Sequence, residues 1–457
     1  MNSFFIYSWV LLFQPVAQAI WNPIISGLSP DPAILTVGDD YYIATSSFEG
    51  AWAPSLSFID GKFWLSAMTR WTYDPVACAE PWGIDPELFQ DPVTKKTYLN
   101  LMAPNNNKDR LWSIAQCQVS LTSGDCVGPY VSLWNGTLPH NSTARPEWPK
   151  MYHKDGGYYF LIAECGTDQL HRSTIARSKT PSGPFVAGPH NPLLYNGQWG
   201  FDTLTVQSTG HATLTKTNDG LWYATVLARR ILNGSSPLEG RETFMVNVDW
   251  KDEWPVFNQG DPVLLSKQIK PDVGPRQVPR QWVDDFSHAK LDSSWYQLWV
   301  PYIKNYKLQK GKLVLKPNVF DLSDRDTPAA LLRKQKSLNM TFSAELSSFK
   351  RNLGPRNKIG ISSYLSEFQH QDIGIRGCVN ATGICLYTEL NKNGTQEYWQ
   401  TPINQTNGLD GGLRLHSKAE PLEYRLGYSF GKEAPVYVTS ITSSWQAFAP
   451  LNWFIFF

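Results

Sequence analysis

The chain has 457 residues, a formal net charge of +1 and only 18% charged residues. That length exceeds what one ordinary core fills and suggests two domains. The near-neutral charge argues against a polyanion, so no nucleic acid partner is expected. Aromatics reach 13%, with 19 Trp. Packing between β-sheets accounts for most of them, and the same flat apolar faces also stack on sugar rings.

The first predicted element is a leader. An apolar run spans Phe4 to Phe13, and Ala17-Gln18-Ala19 fits a small-x-small cleavage site. Residues 1–19 therefore read as a secretory signal peptide, and the protein as secreted and extracellular. The run is too short to cross a bilayer and no other stretch is long enough, so no membrane partner is expected. Seven N-x-S/T sequons begin at Asn135, Asn141, Asn233, Asn339, Asn380, Asn393 and Asn404, as in a secreted glycoprotein.

Residues 20–265 carry one phrase five times. Each copy is a short apolar strand, a turn usually built on Asp-Gly, and a second strand opened by aromatics. The copies are PDPAILTVGDDYYIATSS, WAPSLSFIDGKFWLSAM, IDPELFQDPVTKKTYLNLMA, PEWPKMYHKDGGYYFLIAE and GHATLTKTNDGLWYATVLA. Asp-Gly supplies the positive φ angles of a tight turn, so each copy predicts a hairpin. Hairpins at a long period suggest propeller blades of about four strands each. The turn-proximal aromatics are Tyr41, Phe63, Tyr98, Tyr158 and Trp222. Their steps are 22, 35, 60 and 64 residues. The last two steps suit a four-stranded blade. The first is too short, so the first blade is expected to lack strands between Glu49 and Gly50.

Residues 266–280, SKQIKPDVGPRQVPR, hold three prolines and no apolar period, and read as a linker. Residues 281–457 are again β-rich, with alternating runs such as YKLQKGKLVLKP and PLEYRLGYSF. No long helix is expected anywhere, and the chain reads as all-β. Of six cysteines, Cys117 with Cys126 and Cys378 with Cys385 are close enough for hairpin-like disulfides. Cys78 and Cys165 have no obvious mates. No CxxC or metal-ligand cluster is present.

Counting back 10 to 13 residues from each turn-proximal aromatic reaches Asp31, Trp52, Asp85, Glu147 and His211. If the first strand of each unit lines the channel, these five ring one pocket. Asp31 and Asp85 also suit turns beside their flanking prolines. Glu147 is not a favoured turn former, and Trp148 beside it would desolvate it. Three carboxyls at one phase of a repeat suit glycoside hydrolysis, which needs one ionised carboxylate and one protonated acid. A third carboxylate near the acid would keep it protonated. His211 could hold a water, a substrate hydroxyl or an ion, or be a structural hydrogen-bonder. Arg241 could clamp a substrate hydroxyl or tune a carboxylate, or form a surface ion pair. Phe48 and Trp52 fit sugar-facing walls or core aromatics.

These stretches resemble glycoside hydrolase family 43. The resemblance lies in NPIISGLSPDPAILTVGDDYYIATSSFE, WAPSLSFIDGKFWL, GIDPELF, PEWPKMYHKDGGYYFLIAE, STIARSKTPSGPF, TGHATL and GRETFMVNVDW, in family order over about residues 21 to 265. It implies a five-bladed β-propeller over residues 20–265. WVDDFSHAKLDSSWYQLWVP and PLEYRLGYSF resemble the lectin-like, concanavalin-type β-sandwich that follows the propeller in the β-xylosidase branch, here residues 281–457.

The resemblance further implies Asp31 as general base, Glu147 as general acid and Asp85 as the carboxylate that raises the acid's pKa. It places His211, Arg241, Phe48 and Trp52 at the substrate pocket. The expected activity is inverting release of pentose units from plant-wall xylan or arabinoxylan oligosaccharides, by a β-xylosidase or an α-L-arabinofuranosidase. No cofactor is expected to be required; the resemblance allows a structural ion, calcium, in the channel near His211. The segment that separates the TSSFE-like and WAP-like motifs in the family is missing here, and the chain stops in the apolar run LNWFIFF. Both departures suggest a truncated or mis-spliced product with the last sandwich strands incomplete. They keep a non-catalytic carbohydrate-binding protein as the alternative of another class.

Overall fold

A computed structural model describes residues 22–46, 52–68, 83–107, 110–139, 145–235, 240–265, 281–298, 305–346, 352–392, 394–403 and 412–442. The leader, residues 266–280 and Phe48 lie outside them. Apart from two short 3-10 turns, the regular structure of the described residues is all strand.

Five antiparallel sheets follow in chain order. The first is β1 (Ala33–Val37) and β2 (Asp40–Ala44), and the second β3 (Trp52–Ile59) and β4 (Lys62–Met68). The third holds β5 (Ile84–Gln90), β6 (Thr97–Asn107), β7 (Arg110–Gln118) and β8 (Val131–Trp134). The fourth holds β9 (Pro146–Lys154), β10 (Gly157–Glu164), β11 (Arg172–Ser178) and β12 (Val186–Ala187). The fifth holds β13 (Val206–Lys216), β14 (Trp222–Arg230), β15 (Arg241–Lys251) and β16 (Trp254–Phe257). All five expected hairpins form, and each turn-proximal aromatic pairs across its turn, as Phe58 with Phe63 and His153 with Tyr158.

The first strands of neighbouring sheets pack on one another: β1 on β3, β3 on β5, β5 on β9, β9 on β13, and β13 back on β1. Five first strands in a closed ring make a five-bladed propeller with those strands innermost. Side chains join the ends of the ring. Thr213 Oγ1 donates to Pro32 O at 2.9 Å, and the hydroxyls of Thr36 and Thr215 lie 2.6 Å apart. Buried Glu242 takes a two-point contact from Arg230 at 2.6 and 2.8 Å and a bond from Gly27 N at 3.0 Å, tying the N-terminal segment to the last blade.

The blades are unequal. Sheets three to five have four strands, and apolar side chains fill the spaces between them: Met102, Ile114, Phe160 and Ile162 on one side of the fourth blade, Leu161, Ile175, Leu214 and Phe244 on the other. The first two sheets have two strands each among the described residues. The consequence is visible in equivalent aromatics. Tyr158 is buried, whereas Tyr42, Phe58 and Phe63 cluster on the surface, with Tyr42 and Phe63 ring centroids 4.6 Å apart. The connection from β2 to β3 is short, and its ends are pinned where Ala53 N donates to Ser46 Oγ at 2.7 Å. Trp52 is half-buried at the start of β3.

The C-terminal region begins with the hairpin β17 (Tyr306–Leu308) and β18 (Leu313–Leu315). Two sheets then face each other. One holds β20 (Lys358–Ser366), β21 (Gln369–Gly377), β22 (Ile384–Lys392) and β23 (Thr395–Pro402). The other holds β19 (Met340–Leu346), β24 (Leu413–Glu420), β25 (Glu423–Phe430), β26 (Val436–Tyr437) and β27 (Ile441–Thr442). Ile373, Ile375, Ile384, Leu386, Leu413, Leu415 and Leu426 form the core between them. The disulfides Cys117–Cys126 and Cys378–Cys385 are both formed. Cys165 is a free thiol, and Cys78 lies outside the described residues.

Candidate active site

Each innermost segment carries a left-handed residue, Asp31 (φ 55°), Ala53 (φ 43°), Asp85 (φ 55°), Trp148 (φ 54°) and His211 (φ 54°), and the fifth carries Ser208 (φ 56°) besides. In the last four blades it falls where the strand pairing slips register. A bulge breaks strict alternation and re-aims side chains, and bulges gather beside active sites. The repeat phase is therefore real, with a correction in two blades. There the bulge residue is the one after the residue that spacing selects, Ala53 rather than Trp52 and Trp148 rather than Glu147.

Asp31 and Asp85 are held on the two sides of His211. Its Nδ1 lies 2.9 Å from Asp31 Oδ1, and its Nε2 lies 3.8 Å from Asp85 Oδ2. Asp31 also accepts a hydrogen bond from Ser46 Oγ at 2.6 Å and faces Arg241 Nη1 at 3.4 Å. Burial opposes its charge, but Arg241, His211 and the hydrogen bonds from His211 and Ser46 outweigh that and hold the carboxyl well below the usual range. Asp31 is thus an ionised carboxylate.

Asp85 Oδ2 accepts the backbone N–H of Trp148 at 3.1 Å. Burial raises its pKa to about 6, aided by Asp31 and opposed by His211, Trp148 N–H and Lys150. Glu147 is buried, and its Oε1 has no hydrogen-bond partner. Burial, then the charge of Asp85 and that of Asp31, raise it to about 8 against the opposing Arg145 and Arg241. A carboxyl in that position keeps its proton at neutral pH. The site thus holds one ionised carboxylate and one protonated acid, the division of labour that glycosidic cleavage requires.

Several positioning residues escape sequence reasoning. Trp148 is fully buried against Ala33, Ala53 and Ala163, three small side chains from three blades. Its indole stacks on His211 with ring centroids 4.3 Å apart and planes 28° apart. On the same indole, Lys150 Nζ sits 3.9 Å from the ring centroid while donating to Ser55 Oγ at 2.7 Å. Burial depresses Lys150, and it raises neighbouring Glu87, which accepts from Asn100 Nδ2 and Met151 N at 2.9 Å. His171 Nδ1 lies 3.0 Å from Ser208 O, and its ring occupies the space where a Cβ on Gly210 would come within 2.5 Å. That contact explains the glycine of the TGHATL motif. Short sequence gaps could suggest none of these partners; Lys150 and Ser55 are 95 residues apart.

His211 is enclosed by its neighbours. Both ring nitrogens face carboxylates and one ring face is covered by Trp148. Among the described residues, no three His, Cys, Asp or Glu side chains are placed to hold a metal ion.

The family model for glycosyl hydrolases family 43 matches residues 67–255. That for the β-xylosidase C-terminal concanavalin A-like domain matches residues 283–447. The chain belongs to glycoside hydrolase family 43. It is a glycosidase, a propeller enzyme with a concanavalin-like sandwich behind it. Among its family-43 relatives, a non-reducing end α-L-arabinofuranosidase of Bacteroides ovatus is 28% identical over 400 residues, covering 74% of this chain and 72% of the relative. A β-xylosidase of Bacillus subtilis is 29% identical over 405 residues, covering 71% of this chain and 73% of the relative. The crystal structure of a xylan β-1,4-xylosidase from Bacillus halodurans superposes with a TM-score of 0.78 at 25% identity, over 93% of this chain and 92% of the other. The ring of innermost strands brings together Asp31, Asp85, Glu147, His211 and Arg241. Trp52 lies at the bulge of the second blade.

Proposed function

We propose that this family-43 glycosidase is a secreted, inverting β-xylosidase that releases pentose units from xylan or arabinoxylan oligosaccharides. The observation that carries this is the opposite treatment of two buried carboxyls, Asp31 held ionised and Glu147 held protonated. Asp31 takes a proton from water while the hydroxyl attacks the anomeric carbon. Glu147 gives its proton to the departing oxygen as the glycosidic bond breaks. Both groups regain their starting states by exchange with solvent. Inversion calls for an acid and a base roughly 6.5–9.5 Å apart, with the water between them. Asp85 keeps Glu147 protonated, and Arg241 and His211 keep Asp31 charged.

The xylosidase names of relatives support the sugar. The arabinofuranosidase name of another supports α-L-arabinofuranosides as the second substrate class. Secretion rests on the apolar leader and on sequons whose Asn339 and Asn380 are exposed. Aryl β-xyloside and aryl α-L-arabinofuranoside should be assayed side by side on soluble, folded protein. Turnover of the xyloside with release of the inverted sugar is expected. No turnover of either would leave the non-catalytic sugar-binding alternative, which the two strands of each of the first two sheets among the described residues favour.

A further inference from the structure

Arg229 on β14 stands directly opposite Arg241 on β15, so both side chains leave the same face of the sheet. Gln207 on the innermost strand β13 stands opposite Arg229 and completes the row. Arg241 ends this row at Asp31, so the row runs up to the buried carboxyls. Arg241 has its carboxylate. Arg229 has no carboxylate within ion-pairing distance among the described residues, although only 8% of it is exposed. Its Nε is buried without a hydrogen-bond partner. The same is true of Gln207 Oε1, whose Nε2 is committed to Gly200 O and Leu204 O.

Burial and then the like charge of Arg241 push the Arg229 guanidinium down to about 10. The one opposing charge is Asp168, an exposed residue in the loop after β10 that already accepts Gln169 N–H at 2.8 Å. A guanidinium taken out of water without a counter-charge is costly, and a bidentate carboxylate is the group that best relieves it. A neutral hydroxyl would meet the Nε donor and leave the charge unbalanced. Gln207 Oε1, next in the row, needs a donor instead. A sugar acid brings both, a carboxylate and hydroxyls on one ring.

We infer that Arg229, with Gln207 beside it, seats the carboxylate of a uronic acid unit on the substrate. This rests on the glycosidase function proposed above and narrows it to acidic, uronate-bearing xylo-oligosaccharides. The bond cleaved and the water consumed are unchanged; the carboxylate only anchors.

The test uses the full chain and three substrates: a xylo-oligosaccharide bearing one uronic acid, its methyl ester, and the unsubstituted oligosaccharide. The expected kcat/KM for the acid exceeds that for either neutral compound by tenfold or more, and Arg229→Gln closes the gap. Equal treatment of all three by wild type, or a gap that survives in Arg229→Gln, would overturn the inference. Should Arg229→Gln fail to fold, the acid-against-ester comparison in wild type decides alone. Should nothing be turned over, the proposed function fails separately. Calorimetry with glucuronate and its methyl ester then decides this site: tighter binding of glucuronate supports it, equal binding refutes it.

Discussion

Trp148 lies flat on His211, ring centroids 4.3 Å apart, and its backbone N–H holds Asp85 while His211 holds Asp31. One buried residue thereby reaches two of the three carboxyls, Asp85 through its backbone N–H and Asp31 through the ring stacked on its indole. Trp148 and His211 are both left-handed, at φ 54° each, so neither backbone is free to drift without moving the stack. Trp148→Ala is expected to cost about 3–5 kcal/mol of stability, as for a large aromatic lost from a core. It should also lower kcat, because His211 loses its support. Trp148→Phe keeps a stacking ring and should retain most of the activity. Thermal melts and steady-state kinetics on both variants check this; a fully active Trp148→Ala would show that the stack does not position the site.

The acid's pKa gives a pH prediction with a definite sign. Glu147 works protonated and is held at about 8, with the charge of Asp85 as one cause. The alkaline limb of kcat/KM should therefore fall near pH 8. Asp85→Asn removes that negative charge, so Glu147 gives up its proton more readily. The alkaline limb should move to lower pH by about one unit. A shift to higher pH, or none, would remove Asp85 from the role of keeping the acid protonated.

The same shift makes a stability prediction. The folded-state value of Glu147, about 8, stands above the roughly 4.3 of an unfolded glutamate. Its contribution to stability is thus fully present below about pH 4 and is lost as pH rises through 8. Glu147→Gln cannot ionise and does not lose it. The variant should melt above wild type at pH 8, with the difference shrinking toward pH 5. Melting curves across that range test it, and a difference that grows as pH falls would have the wrong sign.

The hairpins were legible because Asp-Gly turns and the aromatics after them are local signals. Asp31, Asp85 and His211 were legible because the repeat fixes their phase. Glu147 was found one residue before the bulge, because spacing counts residues and cannot see which of two neighbours turns left-handed. Ser46, Lys150 and His171 were invisible for a different reason. Each acts through a contact between separate strands or blades, such as Ser46 joining Asp31 to Ala53 N, and only the closed ring brings those partners together. Among the described residues the first sheet has two strands, and Ser46, just after them, holds Asp31.

The division of roles between Asp31 and Glu147 is tested most directly by leaving-group dependence. Asp31→Ala and Glu147→Ala should each nearly abolish hydrolysis of a xyloside whose leaving group needs protonation. With a dinitrophenyl leaving group, which departs without a proton, Glu147→Ala should recover much of its rate while Asp31→Ala stays inactive. Recovery in both variants, in neither, or in Asp31→Ala alone would contradict the assignment of Asp31 as base and Glu147 as acid.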